Sequence, residues 1–428
     1  MTTGTSTSTA PRSLVHHHDF RQLWAGDAVS ALGVQLVGLA MPIMAVRLLD
    51  ADEFQMGLLG TFEFLAFLVI GLPAGAWVDR WRKKRVIMVG DLVRATVLLS
   101  LPTAWLLDAL TMTQVYVVAL VVGTATVFFD VAHQSYLPEI VPATQIGEGN
   151  AKLMAMQQTA SIAGPALGAT LIRVVGAPLA IAATAVSMAA SVLVVWRIRH
   201  AEEAPAVEGR RPLRTEIWEG LSFVLHQPLL RRIVACTALS NFFAAIASVL
   251  LVLFVIRDLG RTEATLGLVF SVGAVGGLVA ALTVTRVSRV LGEGRTMPTM
   301  ALLAAPFGAL TPLATELPPV LALAIGSFGV SYCAVGYNVI QVSFRQRLCP
   351  RPLLGRMNAS IRFVVWGLMP IGAFVGGLVG EAIGVVPTLW LVACGFLVAG
   401  LTILFSPLSR MRDLPRELDA LAESTTQR

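Results

Sequence analysis

Ionisable side chains stand inside otherwise apolar runs of this chain, among them Asp27, Glu63, Arg94, Asp130 and His133. A charge held in hydrocarbon is costly, so such residues mark proton or ion pathways, or pairs that neutralise one another. At a rise of about 1.5 Å per helical residue, Asp27, Arg94 and Asp130 fall at similar depth in the first, third and fourth runs. An arginine between two carboxylates is a proton-linked switch: one carboxylate neutralises Arg94, and the other binds and releases a proton. His133, one turn from Asp130, either relays that proton or hydrogen-bonds to Asp130. Glu63, near the middle of the second run, is a further proton-coupling candidate, because no basic neighbour in sequence neutralises it. A structural alternative uses the same residues: Asp91 pairs with Arg94 three positions on, and Asp130 braces the end of its helix. Arg362, in the eleventh run, would meet a substrate anion or a helix C-terminus.

The elements that must position these charges are membrane helices. Of 428 residues, 56% are hydrophobic and 14% charged, against about 45–50% and about 25% in soluble domains, which excludes a soluble globular protein. Twelve apolar runs of spanning length, about 20 residues each, extend from near 21–47 to near 384–406. Only Arg47, Arg173, Arg257 and Arg261 fall in odd-numbered loops and Arg94 and Arg362 within runs, leaving 26 of the 32 Lys and Arg on one side. Short basic loops resist translocation, so that side is the cytoplasm and both termini lie there. The net charge of +6 is spread over these loops and meets the membrane face rather than nucleic acid. The expected division is a disordered N-terminal tail at 1–19, a six-helix bundle at 20–198, a cytoplasmic linker with an interfacial helix at 199–229, a second six-helix bundle at 230–406 and a cytoplasmic tail at 407–428. In the linker, Ile217, Leu221, Val224 and Leu225 recur at helical spacing.

Between the second and third runs lies GLPAGAWVDRWRKKR, residues 71–85, with Arg80, Arg82, Lys83, Lys84 and Arg85 crowded into six positions. Gly75 stands four residues before Asp79, where it can admit a neighbouring helix, while Asp79 sits where the chain leaves the membrane. An anchor needs only the basic residues; the Gly and Asp at that spacing are extra. The pattern G-x-x-x-D-R followed by basic residues resembles the signature loop of the major facilitator superfamily. That resemblance implies an all-α membrane protein of twelve transmembrane helices in two six-helix pseudo-repeat bundles, the substrate between them and the bundles rocking around it. It also implies a conformational-gating role for Gly75, Asp79, Arg80, Lys84 and Arg85, with Asp79 holding the halves together. An internal repeat agrees: GLPAGAWVDR at 71–80 aligns with GLVAALTVTR at 277–286, and Pro142, Gly147, Asn150, Gly164 and Gly168 align with Pro350, Gly355, Asn358, Gly372 and Gly376. Thr285 stands where the first copy has Asp79, so any such latch is one-sided.

FFDVAHQSYLPEIV, EGNAKL, AGPALGATL and RQRLCPRPLLGRMNASIRFVVWGLMPIGAFVGGLVG are similar to the exporter branch that includes macrolide-efflux and enterobactin-exporter relatives. On the fifth run, Gly164, Pro165 and Gly168 match part of the G-P-x-x-G-G signature of drug/proton antiporters, while Ala169 replaces its second glycine. Pro165 frees a backbone hydrogen bond, and the small residues would let this helix bend and seal against Gly372, Gly376 and Gly380 of the eleventh, unless they serve static packing alone.

Phe62, Phe129, Phe243, Tyr337, Arg362 and Trp366 are the candidates for lining a substrate cavity, which the aromatic content suits to a bulky, partly apolar molecule such as a drug, antibiotic, siderophore or other secondary metabolite. The expected function is secondary export by proton antiport, from a monomer in the cell membrane, with the small-molecule substrate, protons and the lipid bilayer as partners. The alternatives are a proton-coupled importer on the same fold and a membrane-embedded enzyme; for the last, H-E-x-x-H, G-x-S-x-G and a Walker loop are all missing from the sequence. No cofactor is expected. Cys236, Cys333, Cys349 and Cys394 lack metal-ligand spacing, and His16, His17 and His18 fall in the tail, so no metal site is expected either.

Overall fold

The computed structural model describes residues 14–78, 80–142, 145–200, 202, 221–349, 354–407 and 411. A chain crossing lipid must satisfy every backbone N–H and C=O internally, and an apolar run does so by coiling into a helix. Twelve long helices result among the described residues: α1 His18–Leu48, α2 Glu53–Val78, α3 Lys83–Leu106, α4 Met112–Ile140, α5 Ile146–Val175, α6 Ala177–Trp196, α7 Pro228–Leu253, α8 Glu263–Leu291, α9 Glu293–Ala309, α10 Pro319–Leu348, α11 Leu354–Ile383 and α12 Val385–Leu404. Eleven are long and apolar enough to cross a membrane. The other, α5, has the length at 30 residues but carries Glu148, Lys152, Gln157 and Gln158 in its first half. Of the expected interfacial helix, only its end lies among the described residues: 221–226 is helical, and Val224 is buried in one core with Phe344 and Leu348.

Packing repeats with the sequence. In the first half, neighbouring helices follow the order α5, α1, α6, α3, α4, α2; in the second the order is α11, α7, α12, α9, α10, α8, each helix shifted by six. The turns repeat too. Asp50 (φ 52°) closes the α1–α2 connection and Gly260 (φ 59°) the α7–α8 connection, 210 positions apart, while Gly176 (φ 86°) and Gly384 (φ 88°) end α5 and α11. Two seams join the halves, α2 against α11 and α5 against α8.

Both seams are tightest near the end of the bundle that carries the α1–α2 and α7–α8 connections. A Cβ added to Gly57 would lie 2.6 Å from the Gly377 Cα, and one added to Gly267 would lie 2.5 Å from the Ala169 Cβ and 2.8 Å from the Pro165 carbonyl oxygen. Small residues let backbones meet where lipid supplies no hydrophobic force between helices. The expected seal of α5 on α11 is absent. Gly164 and Gly168 instead pack on Gln35 and Leu36 of α1, and Gly372 and Gly376 on Phe242 and Ile246 of α7. The glycine spacing marks close-packed faces: Gly164, Gly168, Gly372 and Gly376 turn inward to their own half, while Gly380 meets both Leu250 of α7 and Glu53 of α2.

Candidate functional site

Helices α1, α3 and α4 bring the predicted charges together, as their common depth requires. Arg94 is only 1% exposed. It pairs with Asp91 on the same helix, and its guanidinium carbon lies 4.2 Å from the centroid of the Phe129 ring. Ser30 of α1 donates to Asp91 Oδ1 at 3.4 Å, while Asp91 Oδ2 and Arg94 Nε are buried without hydrogen-bond partners among the described residues. A buried charge survives only when paired and hydrogen-bonded, and this one is held by three helices. Of the two readings of these residues, the structure shows the Asp91–Arg94 pair on one helix rather than a switch with Arg94 between Asp27 and Asp130.

Asp27 and Asp130 are left to another partner. His133 Nε2 lies 3.3 Å from Asp27 Oδ1, while Asp130 is within electrostatic range of His133, Arg94 and Arg362. The His133–Asp27 approach lacks hydrogen-bond alignment; it is an ion pair only when the imidazole is protonated. The His133 ring stacks on Phe129, with centroids 5.6 Å apart and planes at 10°. Phe129 is thus the common neighbour of the Asp91–Arg94 pair and of the His133 imidazole. Glu63 of α2 is exposed and has no ion-pair partner among the described residues.

Between the halves, near the end opposite the tight seams, lies a cavity of 280 Å³ lined by Phe67, Gly71 and Gly75 of α2, Val127 and Val131 of α4, and Asn358, Arg362, Phe363 and Trp366 of α11. Arg362 lies over the Trp366 ring at 5.1 Å, and Trp366 meets Phe67 at 4.8 Å across the α2–α11 seam. Asn358 Oδ1 is buried without a hydrogen-bond partner among the described residues.

Of the six predicted cavity residues, then, Arg362 and Trp366 line this space and four do not. Phe62 packs on Tyr116 of α4 at 5.5 Å. Phe129 is buried between Arg94 and His133. Phe243 fills the space in front of Gly395 on α12. Tyr337 is buried, its hydroxyl donating to the Ile233 carbonyl at 3.1 Å and 3.0 Å from Thr237 Oγ1. A buried phenol needs such partners, and finding them here fixes its ring inside the second half.

In the signature loop, Asp79 lies outside the described residues. Gly75 has open space in front of it rather than the neighbouring helix expected there, because in this conformation the cavity occupies that place. Lys84 Nζ donates to the Trp196 and Ile198 carbonyls at 3.0 and 2.6 Å, placing a cation on the C-terminus of α6, and Lys83 pairs with Glu139. Arg80 and Arg85 are exposed.

The opposite end carries residues that the sequence reading placed in loops and left without a role. Arg47 at the end of α1 bonds Glu263 at the start of α8 (2.9 Å), and Arg257 after α7 faces Glu53 at the start of α2 (3.8 Å) while donating to the Ala51 carbonyl (2.9 Å). Arg47 and Arg257 are 210 positions apart, as are Glu53 and Glu263. The two links are copies of each other, both across the halves. That shared offset was the available signal.

The chain matches the family model described as Major Facilitator Superfamily over residues 23–361. The chain belongs to the major facilitator superfamily. This transporter is 29% identical over 364 residues to a protein named multidrug efflux pump Tap from Mycolicibacterium fortuitum, covering 82% of this chain and 86% of that one. It is 22% identical over 400 residues to macrolide efflux protein A of Streptococcus pyogenes, covering 92% and 97%. Among solved structures, the nucleoside transporter NupG superposes with a TM-score of 0.76 at 13% identity, covering 91% of this chain and all of that one. A bacterial homologue of the iron transporter ferroportin, in an inward-facing state, superposes with a TM-score of 0.71 at 16% identity, over 92% and 99%. At such identities the structures speak for the fold alone; it is membership of the family that makes the chain a multi-span membrane transporter of a small molecule and not an enzyme.

Proposed function

We propose that this transporter exports a bulky, partly apolar small molecule by proton antiport, acting as a monomer in the cell membrane with both termini in the cytoplasm. Export is supported by similarity across most of the chain to proteins named as multidrug and macrolide efflux pumps. The observation that carries the coupling reading is the Asp27–His133 contact at 3.3 Å, with the neighbouring cation already neutralised by Asp91. With Arg94 spoken for, Asp27 and His133 are free to exchange a proton without stranding a buried charge.

Residues 20–198 and 230–406 then act as the two rocking bundles and 199–229 as their cytoplasmic linker. In that orientation the glycine seams and the paired Arg–Glu links close the external end, and the Arg362–Trp366 cavity faces the cytoplasm, ready to load. Asp130, within range of both His133 and Arg362, connects the proton site to the substrate cavity: a substrate that engages Arg362 changes the field on Asp130 and, through it, on His133. Gly75 and the basic residues beside Asp79 would close that cavity in the outward-facing state. Expression in a bacterium stripped of its own drug pumps should lower intracellular accumulation of a macrolide probe. Equal accumulation with and without the transporter, across bulky apolar probes, would count against export.

A further inference from the structure

Outside the cavity between the halves, a groove of 790 Å³ runs between α3 and α4. Val89, Gly90 and Val93 of α3 and Leu120, Thr124 and Phe128 of α4 line it, and Arg80, Arg82 and Arg85 stand at its mouth. Its floor is formed where the helices touch, since a Cβ on Gly90 would lie 3.5 Å from the Ala125 carbonyl oxygen. Its wall is aromatic, with Trp77 and Trp81 packed on Phe128 at 6.1 and 5.8 Å. It opens outward, away from the other half: Val89 is 58% and Trp81 49% exposed. Along α3 it runs from Arg85 to Val93, about 12 Å at 1.5 Å per residue, which fits within one leaflet of a hydrocarbon core about 30 Å thick.

We propose that this groove binds one anionic phospholipid, its acyl chain between α3 and α4 and its phosphodiester on Arg80, Arg82 and Arg85. The argument is charge complementarity joined to shape. The two lysines of the same cluster are used internally, by Glu139 and by the α6 carbonyls, whereas the three arginines have no ion pair among the described residues and converge on one apolar slot. A basic cluster at the mouth of an intramembrane groove selects anionic headgroups, and guanidinium groups match phosphate geometry. Trp81 sits where an aromatic ring marks the membrane interface. The orientation proposed above assigns the lipid to the cytoplasmic leaflet; the binding itself does not depend on it.

The test is native mass spectrometry of the detergent-purified transporter given equal amounts of phosphatidylglycerol and phosphatidylcholine. The parent should retain phosphatidylglycerol in preference, the preference falling about fivefold for each arginine removed in Arg80→Gln, Arg82→Gln and Arg85→Gln. Arg286→Gln with Arg289→Gln, on α8, should leave it unchanged. Thr124→Trp, which fills the groove and keeps every charge, should reduce retention of the lipid even if the arginine variants insert poorly. Equal retention of both lipids by the parent, an undiminished preference in the arginine variants or in Thr124→Trp, or an equal loss in the α8 variant would each overturn the proposal. No transport is measured, so failure of the export reading leaves this result intact.

Discussion

Gly57 of α2 lies so close to Gly377 of α11 that a Cβ on Gly57 would fall 2.6 Å from the Gly377 Cα, and one on Gly377 2.8 Å from the Gly57 Cα. Gly267 meets Ala169 and Pro165 in the same way on the other side of the molecule. Gly57 and Gly267 are 210 positions apart, so one repeat unit supplies both halves of the seal. Backbones this close have no room for a side chain, so a side chain added here would force the seam apart.

Gly57→Val should therefore wedge α2 from α11 and shift the transporter toward a conformation open at that end. In a background lacking the four native cysteines, a cysteine at Thr61, whose hydroxyl contacts the Pro370 carbonyl at 3.3 Å, should become several-fold more reactive toward an impermeant maleimide. Unchanged labelling would show that the α2–α11 seam is not the barrier.

The Arg47–Glu263 and Arg257–Glu53 links should act in parallel. An exposed ion pair contributes about 0.2–1 kcal/mol, so breaking one shifts the conformational balance by up to about fivefold. Arg47→Glu should raise external labelling modestly, and adding Glu263→Arg should restore it. If the double exchange fails to restore the parent pattern, the pair does not act as a link.

Asp91→Asn strands a buried guanidinium, a loss of about 3–5 kcal/mol, so it should lower the thermal midpoint of the purified protein well below that of the parent. Asp27→Asn, at a half-buried site facing a histidine, should leave that midpoint close to the parent. Equal midpoints for Asp91→Asn and the parent would remove the Asp91–Arg94 pair as a brace.

Much of this was legible in the sequence because lipid leaves a chain few options. Apolar run length gave the helices, and a fixed rise per residue gave Asp27, Arg94 and Asp130 their common depth. Helix azimuth was not legible. The i,i+3 spacing on α3 made the Asp91–Arg94 pair legible, whereas which group meets Asp27 depends on how α1 and α4 are rotated about their own axes, and spacing along one helix does not encode its rotation against another. For the same reason the sequence could not show that Phe62, Phe129, Phe243 and Tyr337 pack within their own halves in this conformation. Arg47 and Arg257 were visible only as exceptions to the charge asymmetry; the repeat that makes them a pair lies in the 210-residue offset.

Orientation has its own check. A reporter fused at Thr262, in the α7–α8 connection, should register as external and one fused within 199–213 as cytoplasmic. The reverse pattern would place the Arg–Glu links at the cytoplasmic face and make the observed conformation outward-facing.

The central claim is that protons moving through Asp27 and His133 drive export, and everted membrane vesicles with an imposed pH gradient, acid inside, test it most directly. The parent should accumulate a labelled macrolide in the lumen while the gradient lasts, and Asp27→Asn should abolish that accumulation while substrate exchange across vesicles without a gradient survives. Accumulation by Asp27→Asn equal to the parent, or loss of macrolide from the lumen when the gradient is imposed, would contradict it.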